Sequence, residues 1–380
     1  MPDSQFPDRP RIVRAEAIHV RVPFRRPLLD ATGEFTHRRT WLLRLVDERG
    51  NEGLGEAALN PIAADVTTDA LATLIREVVP SLAAGWMPEW SELAGEGEPG
   101  RAAMAAIDGA LAALKAVQGW RSGAVVAPQQ VPVATTIPVS AAIPFAGPDA
   151  GAEAAAQAVE LGFGTLKLRA GFERATDQLV DRLRAIRAAV GPEPRLRIDA
   201  GGAWDLDTAT ERISAIEPFR IEFVEQPLAA WDIAGHAALR ERVRAPIALD
   251  ESIDSEGSAR AALAEGAADV VVVKPARVGG LAATMRVVDA ARAARAFVVL
   301  GTYFETGVGI GAALRIAAAI GAAERGPEPA HGLATGGVLV HDLLGMPLPI
   351  EQGRMAVPAW AALDEDEVAR YVTERFEVRG

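Results

Sequence analysis

Residues 195–252 read RLRIDAGGAWDLDTATERISAIEPFRIEFVEQPLAAWDIAGHAALRERVRAPIALDES. Three short apolar runs in it, 196–199, 221–225 and 247–250, end on the acids Asp199, Glu225 and Asp250. Amphipathic stretches at 206–216 and 233–243 separate them. Short apolar runs bounded by polar residues predict buried strands, and the 3.6-residue period between them predicts helices. Buried strands alternating with helices imply right-handed βαβ units and a parallel sheet.

The same grammar extends in both directions. Strand-like runs occur at 138–143 and 165–169 before this stretch, and at 270–274, 297–300 and, less marked, 332–335 after it. Helical patterns occupy 177–190, 258–265 and 281–294. The polar residues at strand ends fall at 167, 199, 225, 250 and 274, so the intervals are 32, 26, 25 and 24 residues. About eight such units fit between 131 and 344. A closed (β/α)-barrel of TIM type is the natural reading, with its chemistry at the C-terminal ends of the strands. A doubly wound open sheet is the alternative, weakened because no Gly-rich nucleotide fingerprint follows the first strand.

The first ~125 residues follow other rules. Alternation over 12–22 and 41–47, a turn at Gly50-Asn51, and Gly55-Glu56-Ala57 predict an antiparallel meander. Helical patterns follow at 65–80 and 101–118. This is an α+β arrangement. The segment 119–132, rich in Gly, Pro, Gln and Val, is the candidate domain boundary.

Bulk properties limit the partners. The chain has 380 residues, 49% hydrophobic and 24% charged, with a net charge of −12. An acidic surface argues against nucleic acid, which needs clustered Lys and Arg. There are no cysteines, which removes thiolate metal sites and cysteine nucleophiles. No signal-peptide core and no run of about 18 apolar residues is found, so no membrane association and a cytoplasmic location are expected.

On adjacent barrel strands Asp199, Glu225 and Asp250 would converge. Three carboxylates that close repel one another unless a cation neutralises them. All-oxygen ligation suits a hard ion, Mg²⁺ first and Mn²⁺ second. The competing reading is that each acid caps the helix that follows it. Lys167 and Lys274 would stand on strands two and six, flanking the acids from opposite sides. A Lys near other positive charge has a lowered pKa and can act as acid or base. Both could instead be structural salt-bridge partners. Arg169 lies two residues beyond Lys167 and shares its face. It is a poor base and a good carboxylate clamp. Glu251 should point to the opposite face from Asp250, where it suits either a buried partner for a lysine or helix end or a catalytic or substrate-binding role. Glu305 and Thr306, after the seventh strand, suit either a substrate-binding loop or a helix N-terminus. His331 at a strand start reads as structural.

These residues together resemble the enolase superfamily, and within it the muconate lactonizing enzyme subgroup. KLR at 167–169 resembles the subgroup's K-x-K, and RIDAGGAW at 197–204 its D-A-N-x-x-W. VEQP at 224–227, ALDES at 248–252 and KPARVGG at 274–280 complete the set. The resemblance covers nearly the whole chain and is specific as an ordered set. It implies a modified barrel (131–344) under an α+β capping domain (1–130, completed by a tail of about 345–380). It implies Mg²⁺ on Asp199, Glu225 and Asp250, catalysis by Lys167 and Lys274, and substrate contact from a capping loop near 24–35. It also implies a small carboxylate substrate and a homo-oligomer.

Two positions depart from the pattern. The usual proton-abstracting lysine is Arg169, and the usual asparagine is Gly201. Two-base racemisation therefore loses one of its bases. A one-base reaction through Lys274 or a retuned Lys167 remains open. HRRTWLLRL at 37–45, FETGVG at 304–309 and HGLATG at 331–336 look most like o-succinylbenzoate synthases. That likeness implies syn dehydration of a hydroxycyclohexadiene carboxylate. Muconate-type cycloisomerisation, epimerisation of N-acyl amino acids or dipeptides, and acid-sugar dehydration are the enzymatic alternatives. The Asp-x-Asp that dipeptide epimerases carry on the last barrel strand is missing. A catalytically silent ligand-binding barrel is the non-enzymatic one.

Overall fold

The computed structural model describes residues 10–30, 33–122, 135–323, 328–358 and 361–380. The predicted boundary at 119–132 lies largely outside them, and its first four residues end a helix. The chain opens with β1 (Ile12–Asp30), β2 (Gly33–Asp47) and β3 (Glu52–Ala57), then α1 (Asp65–Ala83), α2 (Trp90–Gly95) and α3 (Gly97–Ser122). Both predicted strands are longer than expected. Of the capping loop expected at 24–35, the described residues 24–30 and 33–35 belong to two paired strands, whose register sets Leu28 opposite Phe35, and 31–32 lie outside the described residues.

The four-stranded antiparallel sheet has the order β14-β1-β2-β3, where β14 (Val372–Arg379) comes from the far end of the chain. Strand alternation places side chains on opposite faces. Ala15, Ala17, Leu43 and Leu45 therefore pack on α1 and α3 through Ile75, Val79, Ile107 and Leu114. Ile18, Val20, Val22 and Leu42 pack instead against Leu339, Leu343, Leu344 and Val368. Gly55 lets β3 lie directly on α3, because a Cβ there would overlap the carbonyl of Ala106.

The barrel begins at β4 (Thr136–Pro138) and β5 (Ala141–Ile143), followed by α4 (Pro148–Glu160), β6 (Thr165–Arg169) and α5 (Thr176–Val190). It continues with β7 (Arg195–Asp199), α6 (Leu206–Ile216), β8 (Ile221–Glu225), α7 (Ile233–Arg242), β9 (Ile247–Leu249) and α8 (Glu256–Ala264). The last units are β10 (Val270–Val273), α9 (Pro275–Val278), α10 (Leu281–Ala293), β11 (Phe297–Leu300) and α11 (Gly307–Ala323). The tail divides its pairing. β12 (Ile350–Glu351) and β13 (Arg354–Ala356) form a small sheet with β4, whereas α12 (Glu365–Tyr371) leads into β14.

The strands β5 to β11 form one parallel sheet in sequential order. The eighth unit expected at 332–335 is not a strand among the described residues. A single parallel bridge, Val139 to His331, fills its place. The Gly332 amide donates to the carbonyl of Leu300 and the Ser140 amide to that of His331, so one extended turn links both edges. His331 is buried, and its Nδ1 accepts the Leu300 amide at 3.0 Å. Burial pushes the imidazole down to about 3, so it stays neutral and closes the sheet.

Leu166, Leu168, Ile198, Val224 and Leu249 face the surrounding helices in the main core. Their strand neighbours point inward, where Phe223, Ala248, Val270, Val272 and Val299 fill the barrel. Arg197 crosses this interior, with its guanidinium carbon 4.6 Å from the Phe223 ring centre and Nη1 donating to the Ala330 carbonyl at 2.7 Å. Among the described residues, no helix is long and apolar enough to cross a membrane.

Candidate active site

Strand register brings the polar residues together. Arg169 pairs with Asp199, and Asp199 pairs with Glu225. Glu225 pairs with Ala248, two residues before Asp250. Arg169, Asp199 and Glu225 are inward-facing positions at the C-terminal edge, directly above the Arg197–Phe223 layer, and Asp250 follows immediately on the end of β9.

The charges interlock. Lys167 Nζ lies 3.0 Å from Asp199 Oδ2 and 2.7 Å from Glu225 Oε1. Arg169 Nη1 donates to Asp199 Oδ1 at 3.0 Å. Lys274 Nζ donates to Asp250 Oδ2. Arg277 Nη1 donates to Asp250 Oδ1 and to its carbonyl oxygen, both at 2.7 Å. Lys167 and Lys274 therefore stand on opposite flanks of the three acids, as expected.

Burial acts to lower the Lys167 pKa, but Asp199, Glu225 and Asp250 outweigh it and hold the ammonium above its usual range. The same balance raises Arg169, mainly through Asp199 and Glu251. Burial acts to raise Asp250, yet Lys274 and Arg277 overcome it and keep this carboxyl ionised well below the usual range. Glu225 goes the other way: burial and its carboxylate neighbours push it up to about 8 despite Lys167.

The donor set fits a hard divalent cation on chemical grounds. Three carboxylates end three neighbouring strands, and Glu225 is the acid with the greatest need of further positive charge. Among the described residues no three acids are turned together as a preformed cage. Their oxygens are turned on ammonium and guanidinium groups instead.

Several supporting residues were not singled out from the sequence. Gln226, fully buried, accepts the Asp250 amide at 2.9 Å and donates to the Ser252 hydroxyl at 2.8 Å, which fixes the Asp250 turn. Arg277 Nε donates to the Tyr303 hydroxyl, and the Tyr303 ring centre lies 5.6 Å from Lys274 Nζ. The one sequence-level cue is that Arg277 lies three residues past Lys274, one turn along a short helix.

Glu251 lies two residues past the end of β9. β9 ends at Leu249, so strand alternation stops before Asp250 and Glu251. The Glu251 carboxylate lies within electrostatic reach of Arg169, Lys274 and Asp199 and is exposed.

Glu305 and Thr306 stand at the joint between cap and barrel. Both are buried. Glu56 of β3 accepts the Thr306 amide at 3.1 Å, its hydroxyl at 2.7 Å and the Gly309 amide at 3.0 Å. A carboxylate from the cap thus caps the start of a barrel helix. Glu305 accepts the Tyr303 amide, and burial beside Glu56 pushes it up to about 7, against the pull of Arg38. Glu56→Ala should leave the buried Thr306 N–H and the half-buried Gly309 N–H unpaired and cost about 2–4 kcal/mol in denaturant-unfolding stability. A loss below about 1 kcal/mol would show that this joint contributes little.

A family profile described as "Enolase C-terminal domain-like" matches residues 150–361. An o-succinylbenzoate synthase from Thermobifida fusca is 41% identical over 223 residues, which span 57% of this chain and just under two thirds, 65%, of that protein. An L-Ala-D/L-Glu epimerase from Clostridium acetobutylicum is 28% identical over 312 residues, 79% of this chain and 85% of that one. Among solved structures, a muconate lactonizing enzyme from Pseudomonas fluorescens complexed with muconolactone superposes with a TM-score of 0.80 at 25% identity, covering 96% of this chain and 99% of that one.

Proposed function

Given that this chain belongs to the enolase C-terminal domain-like family, we propose that it removes the α-proton of a small carboxylate substrate and expels a β-hydroxyl. The leading substrate is the hydroxycyclohexadiene carboxylate that yields o-succinylbenzoate. The observation that carries this reading is the arrangement of Asp199, Glu225 and Asp250 with Lys274 on one flank and Lys167 and Arg169 on the other.

Asp199, Glu225 and Asp250 would hold Mg²⁺. When bound, that ion supplies electrostatic stabilisation for the negative charge that develops on the substrate carboxylate. Lys274 acts as the free amine: its Nζ accepts the α-proton, becomes the ammonium, and returns that proton to the leaving hydroxyl oxygen on the same face, so one water leaves. A single base suffices for this syn elimination, and the gain of an aromatic ring lowers its barrier. Lys167 stays protonated beside Asp199 and Glu225 and adds positive charge where the carboxylate binds. Arg169, always protonated, cannot serve as a second base.

The similarity to an epimerase favours a second reading, α-carbon inversion of an N-acyl amino acid or dipeptide. Inversion needs proton transfer on both faces, and Arg169 occupies one of them. An ultraviolet assay for o-succinylbenzoate formation, run with Mg²⁺ and with EDTA, tests the leading reading. Metal-dependent turnover at an enzymic rate is expected. No turnover by folded, metal-loaded protein would remove this substrate and turn attention to acid sugars and N-acyl amino acids.

A further inference from the structure

The segment that carries Lys274 is held from outside the barrel. Lys274 stands immediately before α9, a helix of four residues, Pro275–Val278. A single helical turn gains too few hydrogen bonds to fix its own backbone. Gly279 and Gly280 follow it at φ +103° and +94°, a region that glycine enters freely. Lys274 Nζ and the Arg277 guanidinium both bond to Asp250, so the placement of this short segment sets one flank of the site.

What holds it is α3 of the cap. Arg101, Met104, Ala105 and Asp108 have the spacing i, i+3, i+4, i+7 and share one face of that helix. Arg101 Nε donates to the Arg277 carbonyl oxygen at 2.8 Å. Asp108 Oδ2 accepts the Ala282 amide at 2.9 Å. Gly280 stands at the N-cap of α10, so that helix has no capping side chain of its own, and a carboxylate from the other domain takes the role. The fit is close. A Cβ on Gly280 would lie 2.8 Å from Asp108 Oδ2 and 3.1 Å from Ala105 Cα, and one on Gly279 would lie 3.3 Å from Met104 Cε. Arg277 is therefore fixed twice, through its backbone by the cap and through its side chain by Asp250 and Tyr303.

We infer that Arg101 and Asp108 are positioning residues for the proposed proton transfer: α3 sets Arg277, and through it Asp250 and Lys274, so this flank of the site is built by both domains. The inference deepens the proposed function and rests on its choice of Lys274 as the base.

Its first test needs no substrate. The chain has two tyrosines, Tyr303 and Tyr371. In protein labelled with ¹³Cζ-tyrosine, Tyr371→Phe assigns the two resonances, and the Tyr303 signal reports the hydrogen bond from Arg277 Nε. Arg101→Met and Asp108→Ala, both Mg²⁺-loaded, should shift the Tyr303 resonance and leave that of Tyr371 in place. Arg101→Lys keeps a donor for the Arg277 carbonyl and should return the signal to its wild-type position. With the carboxylate that the wild type turns over, the two disruptive variants should lower kcat by about tenfold or more with KM within about threefold. Thermal melts report folding, and if one of the two fails to fold, the other decides. The inference is overturned if the Tyr303 resonance is unmoved in the folded variants, if Arg101→Lys is shifted as far as Arg101→Met, or if the resonance moves while kcat keeps its wild-type value. A negative dehydration assay on wild type would remove the leading substrate and leave the resonance test standing.

Discussion

Lys274→Met is expected to lower kcat by about 10³-fold or more while leaving Mg²⁺ affinity within about threefold of wild type. Lys274 is the one lysine on its flank of the acids, and among the described residues Asp250 is the acid its ammonium is ion-paired with. Arg277 retains two hydrogen bonds to Asp250, so the acid stays fixed and ionised when the lysine is removed. Loss of rate with metal binding preserved would identify proton transfer as the missing step. The same variant should abolish exchange of the substrate α-hydrogen in D₂O. If exchange continues at the wild-type rate in Lys274→Met, Lys167 must be the base and the assignment of flanks is wrong.

Asp250→Asn should remove metal binding and turnover together. It should also destabilise the protein. Arg277 is buried and Lys274 half-buried against this carboxylate, and a neutral amide leaves them as uncompensated cations at a cost of about 3–5 kcal/mol. The three readouts are calorimetric Mg²⁺ titration, kcat and unfolding stability. A fall of about 10³-fold in kcat with no detectable Mg²⁺ binding is expected. Full activity would remove Asp250 from the metal site. A stability loss with metal binding and activity intact would reduce it to a structural counter-ion.

Much of the barrel is legible in the sequence because its strands are short, apolar and regularly spaced. The segments 206–216 and 281–294 become helices almost residue for residue. The acids are legible because each terminates such a run. Three features are not. The eighth strand position is a single bridge at His331, held by contacts to Leu300 and Ser140 that no local pattern announces. The electrostatic reach of Glu251 to Arg169 and Lys274 is another, because β9 stops at Leu249 and alternation loses its force at a strand's last residue. Glu56 is bonded to Thr306, 250 residues away, and such a joint exists only once two separately patterned regions have docked.

The order of strands in the antiparallel sheet constrains how the chain is made. β1 lies between β2 and β14, with Arg14 opposite Arg379 and Ile18 opposite Arg375. At a synthesis rate of about 5–20 residues per second, β1 waits roughly 20–70 seconds for its second neighbour. Through that interval its unpaired edge is available to other nascent chains. The barrel is complete in sequence before the antiparallel sheet can close, so ribosomal timing makes that sheet the last part of the molecule to acquire its final shape.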